Sequence, residues 1–236
     1  MMAYGKLYLI PSPLGDNNPA EVIPAAVLDL LKGLDTFVVE ELRSARRYLS
    51  RAGLKGHIES LRLVTLNEHT SPGEVLEMES LFLDGKDVGL ITEAGLPAVA
   101  DPGSALVALC HSKGITVVPL TGPSSLMLAL MASGLNGQSF AFCGYLPAKS
   151  DDRKAAIRKI EKQSASCNQT QIFIETPYRN DSLLSDLLQI CQAGTRLCVA
   201  ADITLATAYL KTMTVAKWKK ENLTIGKRPC VFLILA

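Results

Sequence analysis

DVGLIT, Asp87 to Thr92, runs straight into EAGLPAVADPG, Glu93 to Gly103. The first half is continuously apolar rather than alternating, which predicts a strand buried on both faces of a parallel sheet. The second half holds two carboxylates, two glycines and two prolines in a segment too short for another helix, so it predicts a structured loop at the carboxyl end of that strand.

The same apolar strand signature recurs on either side. KLYLI (Lys6 to Ile10) and DTFVVEE (Asp35 to Glu41) precede it, and GITVVPL (Gly114 to Leu120) follows. Helical patterns separate them: PAAVLDLL from Pro24, LRSARRYLSRAG from Leu42, and SALVALCHS from Ser104. Strands alternating with helices predict an α/β fold whose first part is a mostly parallel, Rossmann-like sheet flanked by helices. Beyond Gly137 the pattern changes. QSFAFCGYLP, QIFIETP, RLCVAADIT, AYLKTMTV and PCVFLILA outnumber the helices through DDRKAAIRKIEK and DSLLSDLLQI, which predicts a mixed sheet in a second domain. The expected division is residues 1–120 and 121–236.

Composition narrows the function. At 236 residues and 48% hydrophobic content the chain can bury a sizeable core. Lys plus Arg, 24, nearly balances Asp plus Glu, 23, so any nucleic-acid surface has to be a local patch. Six scattered cysteines without a CxxC pair, and three histidines without HxxH spacing, predict reduced cytoplasmic thiols and no metal site. Residues 115–148 lack Asp, Glu, Lys, Arg and His, but their prolines and glycines cut them into pieces far below the roughly 20 apolar residues of a membrane span. The amino terminus has a very short apolar run and no basic leader, so neither a signal peptide nor a transit peptide is expected.

In open α/β sheets ligands bind outside the carboxyl ends of the strands. Four loops there are unusual: PSPLGD (Pro11 to Asp16), EELRSAR, TEAGLPAVADPG and TGPSS (Thr121 to Ser125). Each combines residues that let backbone amides approach a ligand with hydroxyls or carboxylates that bind one. Glu93, immediately after a buried strand, reads as a site residue. Asp101 stays open to two readings, a cap for the helix from Ser104 and a ligand contact. Neither GxGxxG nor GxxxxGK[ST] occurs in these loops, which disfavours a classical dinucleotide fold or a P-loop. The helix from Leu42 aligns Arg43, Arg47 and Arg51 with Arg46 beside them, while Leu42, Ala45 and Leu49 are expected to face inward. Lys149, Arg153, Lys154, Arg158 and Lys159 form a second basic run, interleaved with acids and expected to be a plain surface helix.

As an ordered set, LYLIPSPLGD, EELRSARRYL, NEH, LITEAGLPAVADPG, VVPLTGPSSLMLALMASGL, FAFCGYLPAK and FIETPYR resembles the ribosomal small-subunit RNA ribose 2′-O-methyltransferases of the tetrapyrrole (corrin/porphyrin) methylase superfamily. The resemblance covers Leu7 to about Arg179. It implies two α/β domains, a homodimer, and S-adenosylmethionine held folded in the cleft between domains. Position by position it implies cofactor contacts at Leu14, at Thr92, Glu93 and Ala94, and at Pro97, Val99, Ala100 and Asp101. It extends them to Ser124 and Ser125, to Ile174, Glu175 and Thr176, and to Ala200 and Asp202. Asn67, Arg43 and Arg46 fall on RNA-side positions, and Glu68 with His69 are the candidates for substrate orientation or proton acceptance. The sequence also departs from the family pattern. Glu93 replaces the usual Asp, Leu96 stands where Thr is common, DITLATAYL lacks the expected charged stretch, and GKRPCVFLILA lacks the usual Lys-Gly-Glu. These departures keep two other readings in play: a superfamily methylase acting on a tetrapyrrole or another small molecule, and a cofactor-binding paralogue without catalysis.

Overall fold

The computed structural model describes residues 4–236, which form two compact units, one ending at Ser124 and the other spanning Ser125–Ala236. In the first, β1 (Lys6–Ile10) leads through α1 (Pro19–Val22) and α2 (Ala25–Lys32) to β2 (Thr36–Val39). Then follow α3 (Leu42–Leu49), β3 (Arg62–Thr65), α4 (Pro72–Glu77), β4 (Val88–Ile91), α5 (Ser104–Lys113) and β5 (Thr116–Pro119). The five strands lie in the order β3-β2-β4-β1-β5, all parallel.

Two-sided burial explains the apolar runs of β2 and β4, in which every residue is buried. Ile10, Phe37, Val39 and Ile91 join α2 and α3 on one face, in contact with Val27, Leu31, Ala45 and Leu49. Leu7, Val38, Val88 and Leu90 join Leu106, Leu109 and Cys110 of α5 on the other. Because Val39 pairs with Thr65 and Ile91, and Ile10 with Ile91, the strand ends are in step and their loops emerge along one edge.

The structure corrects three expectations. β3 was not foreseen, because Arg62–Thr65 is an edge strand whose side chains are only partly buried. Leu42 is 41% exposed instead of facing inward, whereas Ala45 and Leu49 are buried. Arg153, expected on a plain surface helix, is 5% exposed and donates through Nε to Asp186 at 2.7 Å.

The second unit begins with α6 (Ser125–Ser133) and β6 (Phe140–Tyr145), then α7 (Ser150–Cys167), β7 (Thr170–Ile174), α8 (Asn180–Ile190) and β8 (Arg196–Ala201). β9 (Tyr209–Thr214), α9 (Val215–Trp218) and β10 (Cys230–Leu235) complete it. Its sheet runs β6-β7-β10-β8-β9; only β6 and β7 are parallel, so the sheet is mixed. Phe173, Val199 and Phe232 pack with α7, α8 and Trp218 on one face, while Ile172, Cys198 and Leu233 pack with α6 on the other. Among the described residues no helix is long and apolar enough to cross a membrane.

Candidate functional site

The loops after β1 and β4 are tied together at Ser12. Its backbone N–H donates to Gly95 O at 2.8 Å and its carbonyl accepts from Gly95 N at 3.1 Å. Its hydroxyl, 2% exposed as a residue, donates to Thr92 O at 2.8 Å. Gly95 makes this junction possible at φ +78°, a left-handed conformation that glycine adopts at no steric cost. On the β5 side Gly122 lies so close to Pro11 that an added Cβ would stand 2.1 Å from the proline Cβ. The third tie comes from α3, where Tyr48 donates its buried hydroxyl to Pro11 O at 2.8 Å. Burial holds the Tyr48 phenol well above its ordinary pKa, so it stays a donor throughout the physiological range.

α3 itself is anchored by Glu41, whose carboxylate accepts from Arg43 N at 2.8 Å and Ser44 N at 2.6 Å. Those backbone bonds, Arg43 first, hold the Glu41 carboxyl below its usual range. The adjacent Glu40 accepts from the Thr92 hydroxyl at 3.0 Å and Glu93 N at 3.4 Å, linking the β2 end to the β4 end.

Asp101 resolves differently from the cap reading. The residue that caps α5 is Gly103, and Asp101 turns back on its own loop. Its carboxylate accepts from Ala98 N at 2.9 and 3.0 Å and from Gly103 N at 2.7 Å. This clamp holds Ala98 at φ +64° and Ala100 at φ +60°, a conformation that disfavours any residue with a Cβ.

The β1 loop, one face of α3 with Arg51 beyond it, and the start of the β4 loop line an open cavity of about 370 Å³, with Ser12, Leu14, Asp16, Arg47, Arg51 and Glu93 among its walls. Of the residues the sequence singled out, the structure brings Leu14, Glu93 and Ala94 to its wall, with Thr92 buried just behind. Pro97 is buried, Val99 and Ala100 are exposed, and none of them lines the cavity. Arg43 and Arg46 also lie off the cavity, on the outer side of α3.

Asn67, Glu68 and His69 form the turn after β3, where Asn67 Oδ1 accepts from His69 N at 2.9 Å. The Glu68 and His69 side chains are 85% and 83% exposed and 3.7 Å apart. Ser124 ends the first unit and Ser125 opens α6.

In the second unit Ile174 ends β7 and Glu175 follows it, 5% exposed, accepting from Thr176 N at 2.7 Å and Arg179 Nε at 2.9 Å through one oxygen. The other oxygen is buried and has no partner in the chain. Ala200 is a fully buried core residue of β8. Asp202 stands at φ +50° and accepts from Arg228 Nε at 2.7 Å. Sequence reasoning missed Ser12, Glu40, Ser44 and Tyr48. The i, i+3, i+4, i+7 spacing of Ser44, Arg47, Tyr48 and Arg51 was the available signal for the cavity face of α3. No group of three or more His, Cys, Asp or Glu residues that could hold a metal occurs among the described residues.

An α/β unit with a parallel sheet, joined loops at its strand ends and a mixed second sheet is the architecture of a methylase family. The profile of the Tetrapyrrole (Corrin/Porphyrin) Methylases matches residues 6–218, and the chain belongs to that family. As a member it is a methyltransferase whose methyl donor is S-adenosylmethionine. Among its relatives is a protein of Vibrio cholerae called ribosomal RNA small subunit methyltransferase I, 32% identical over 231 residues, covering 97% of this chain and 76% of the relative. The Escherichia coli O157:H7 protein of the same name is 30% identical over 233 residues, 98% and 77% of the two chains.

Solved structures give the fold at lower identity. A diphthine synthase superposes with TM-score 0.68 at 16% identity, covering 98% of this chain and 90% of that one. The methyltransferase CobJ gives 0.64 at 15%, covering 98% and 94%. The residues present suit the cofactor. Leu14 and Ala94 offer apolar wall, and Glu93 offers a carboxylate to the cationic groups of its methionine end.

Proposed function

We propose that this protein methylates a ribose 2′-hydroxyl of small-subunit ribosomal RNA, in the cytoplasm and as a homodimer. The observation that carries this reading is similarity over 97% of the chain to a relative that bears the small-subunit ribosomal RNA methyltransferase name. S-adenosylmethionine, when bound, supplies a methyl group on a sulfonium, and transfer from it is an in-line displacement that depends mainly on alignment. Well-oriented reactions reach effective molarities of roughly 10⁵ to 10⁸ M, so holding the reactants is the protein's principal task.

In this reading Leu14, Thr92, Glu93, Ala94, Pro97, Val99, Ala100 and Asp101 form the cofactor side of the first unit, with Ser124 at its end. Ser125, Ile174, Glu175, Thr176, Ala200 and Asp202 are the second unit's contribution. The unpartnered Glu175 oxygen supports a ligand donor there, since a buried carboxylate oxygen left without one is costly. Asn67, Arg43 and Arg46 hold RNA. Glu68, with His69 beside it, orients the ribose or accepts its proton, and its position after β3 on the same sheet edge supports that role. The homodimer draws support from apolar side chains that are partly exposed on the second unit: Met131 of α6, and Phe140, Phe142 and Tyr145 of the edge strand β6.

The test is transfer of labelled methyl groups from S-adenosylmethionine to small ribosomal subunits from cells lacking this gene, followed by mapping of ribose methylation. Label in one 2′-O-methylated nucleotide, reduced at least tenfold in Glu68→Gln, is the expected result. Label confined to small molecules would refute the RNA substrate.

A further inference from the structure

Within the cavity of the first unit the charges are unevenly matched. Ser44, Arg47, Tyr48 and Arg51 form the stripe of α3 and its continuation that lines it, so two arginines belong to its wall. Arg51 is already committed. It is ion-paired to Asp16 and donates to Asp16 O at 3.3 Å and to Asn17 O at 2.7 Å, fastening the β1 loop to the helix. Arg47 lines the same cavity with no carboxylate within ion-pair distance among the described residues. Glu93, on the same wall, accepts from the Ser44 hydroxyl at 3.3 Å and has no ion-pair partner among the described residues.

We propose that this cavity seats the acceptor nucleotide of the RNA and that Arg47 binds its phosphodiester, a positioning role that rests on the ribosomal RNA reading. Three observations favour that ligand. The guanidinium fork matches the two free oxygens of a phosphodiester. That group carries a single negative charge, and the cavity offers a single uncompensated cation, because Asp16 neutralises Arg51. A tetrapyrrole bearing several carboxylates would meet only that one cation. The cavity also borders the β1 and β4 loops, so a nucleotide held by Arg47 stands beside Leu14, Glu93 and Ala94. Arg43 and Arg46, on the outer side of α3, can reach only flanking phosphates.

The experiment compares the full chain with Arg47→Ala, Arg47→Lys and, as a surface control on α7, Arg158→Ala. It measures KM and kcat for small ribosomal subunits, the Kd of S-adenosylmethionine, and the salt dependence of RNA binding. Arg47→Ala should raise KM tenfold or more, leave the cofactor Kd within twofold, and flatten the slope of log K against log salt by about 0.7. Arg47→Lys should recover part of the KM, and Arg158→Ala should behave as wild type. An unchanged KM and slope in Arg47→Ala, with a wild-type chain that methylates RNA, would overturn the assignment and leave the RNA reading standing. Loss of cofactor binding in Arg47→Ala, or an equal effect in Arg158→Ala, would overturn it as well. A wild-type chain that binds cofactor but methylates only a polycarboxylate small molecule would overturn both.

Discussion

Removing the Asp101 carboxylate should release the β4 loop at a cost to ligand binding far larger than its cost to stability. Two amides, Ala98 and Gly103, bond to that carboxylate. Hydrogen bonds to charged groups contribute about 1.5–3 kcal/mol each, so the clamp is worth about 3–6 kcal/mol. Against it stand Ala98 and Ala100 at positive φ, each costing about 1–2 kcal/mol, about 2–4 kcal/mol together. At the middle of both ranges the clamp wins by about 1.5 kcal/mol. In Asp101→Ala the loop relaxes into unstrained backbone, so global stability should fall by about that difference and not by the full worth of the bonds. The native loop conformer, now disfavoured by about 2–4 kcal/mol, would weaken S-adenosylmethionine from about 30-fold to several hundred-fold. Titration calorimetry reads the affinity, urea unfolding the stability, and amide exchange the release of residues 94–101. Adding Ala98→Gly and Ala100→Gly to Asp101→Ala removes most of the strain and should restore about tenfold or more of the lost affinity. Wild-type affinity in Asp101→Ala, or a stability loss near 6 kcal/mol, would refute the balance.

Tyr48→Phe removes the donor to Pro11 O and should cost about 1 kcal/mol, lowering Tm by about 2–4 °C in a chain of this size; an unchanged Tm would remove Tyr48 from the loop's supports. Glu41 contributes stability through a depressed carboxyl pKa, so its contribution is present above about pH 4.3 and disappears as pH falls through the folded-state value. Glu41→Gln should therefore flatten the acid limb of the stability–pH curve, and superimposable limbs would contradict the helix-anchor role. Burial pushes the Cys110 thiol up to about 11 and those of Cys191 and Cys230 up to about 12. A thiol reagent at pH 8 should accordingly label exposed Cys167 first in the native protein and reach these three only on unfolding. Equal rates for all would show the core opening.

The sheet was legible because two-sided burial forces long apolar runs, as at Phe37-Val38-Val39, where alternate residues feed opposite cores. β3 was not, since an edge strand buried on fewer sides tolerates Arg62 and Thr65 and loses the apolar signature. The loops advertised themselves through glycine, proline and carboxylates placed just after strands. Their ties did not, because Ser12 meets Thr92 and Tyr48 meets Pro11 across 80 and 37 residues of sequence. Asp101 was visible as a polar residue before Pro102-Gly103, yet only the backbone geometry of Ala98 and Ala100 distinguishes a loop clamp from a helix cap.

The distribution of ties says which parts of the site are rigid. Ser12, Gly95, Tyr48 and Gly122 fix the β1 loop to its neighbours through backbone bonds, a buried hydroxyl and a close contact. Arg47 and Glu93, which have no ion-pair partner among the described residues, sit on that fixed frame with one charge each. A frame of this kind loses little entropy when it orders a ligand, so substituting Arg47 should change substrate affinity without loosening the loops. Substituting Ser12, whose hydroxyl and amide both join β1 to β4, should instead lower stability and cofactor affinity together. If Ser12→Ala altered only the RNA KM, the division between frame and ligand contacts would be drawn in the wrong place.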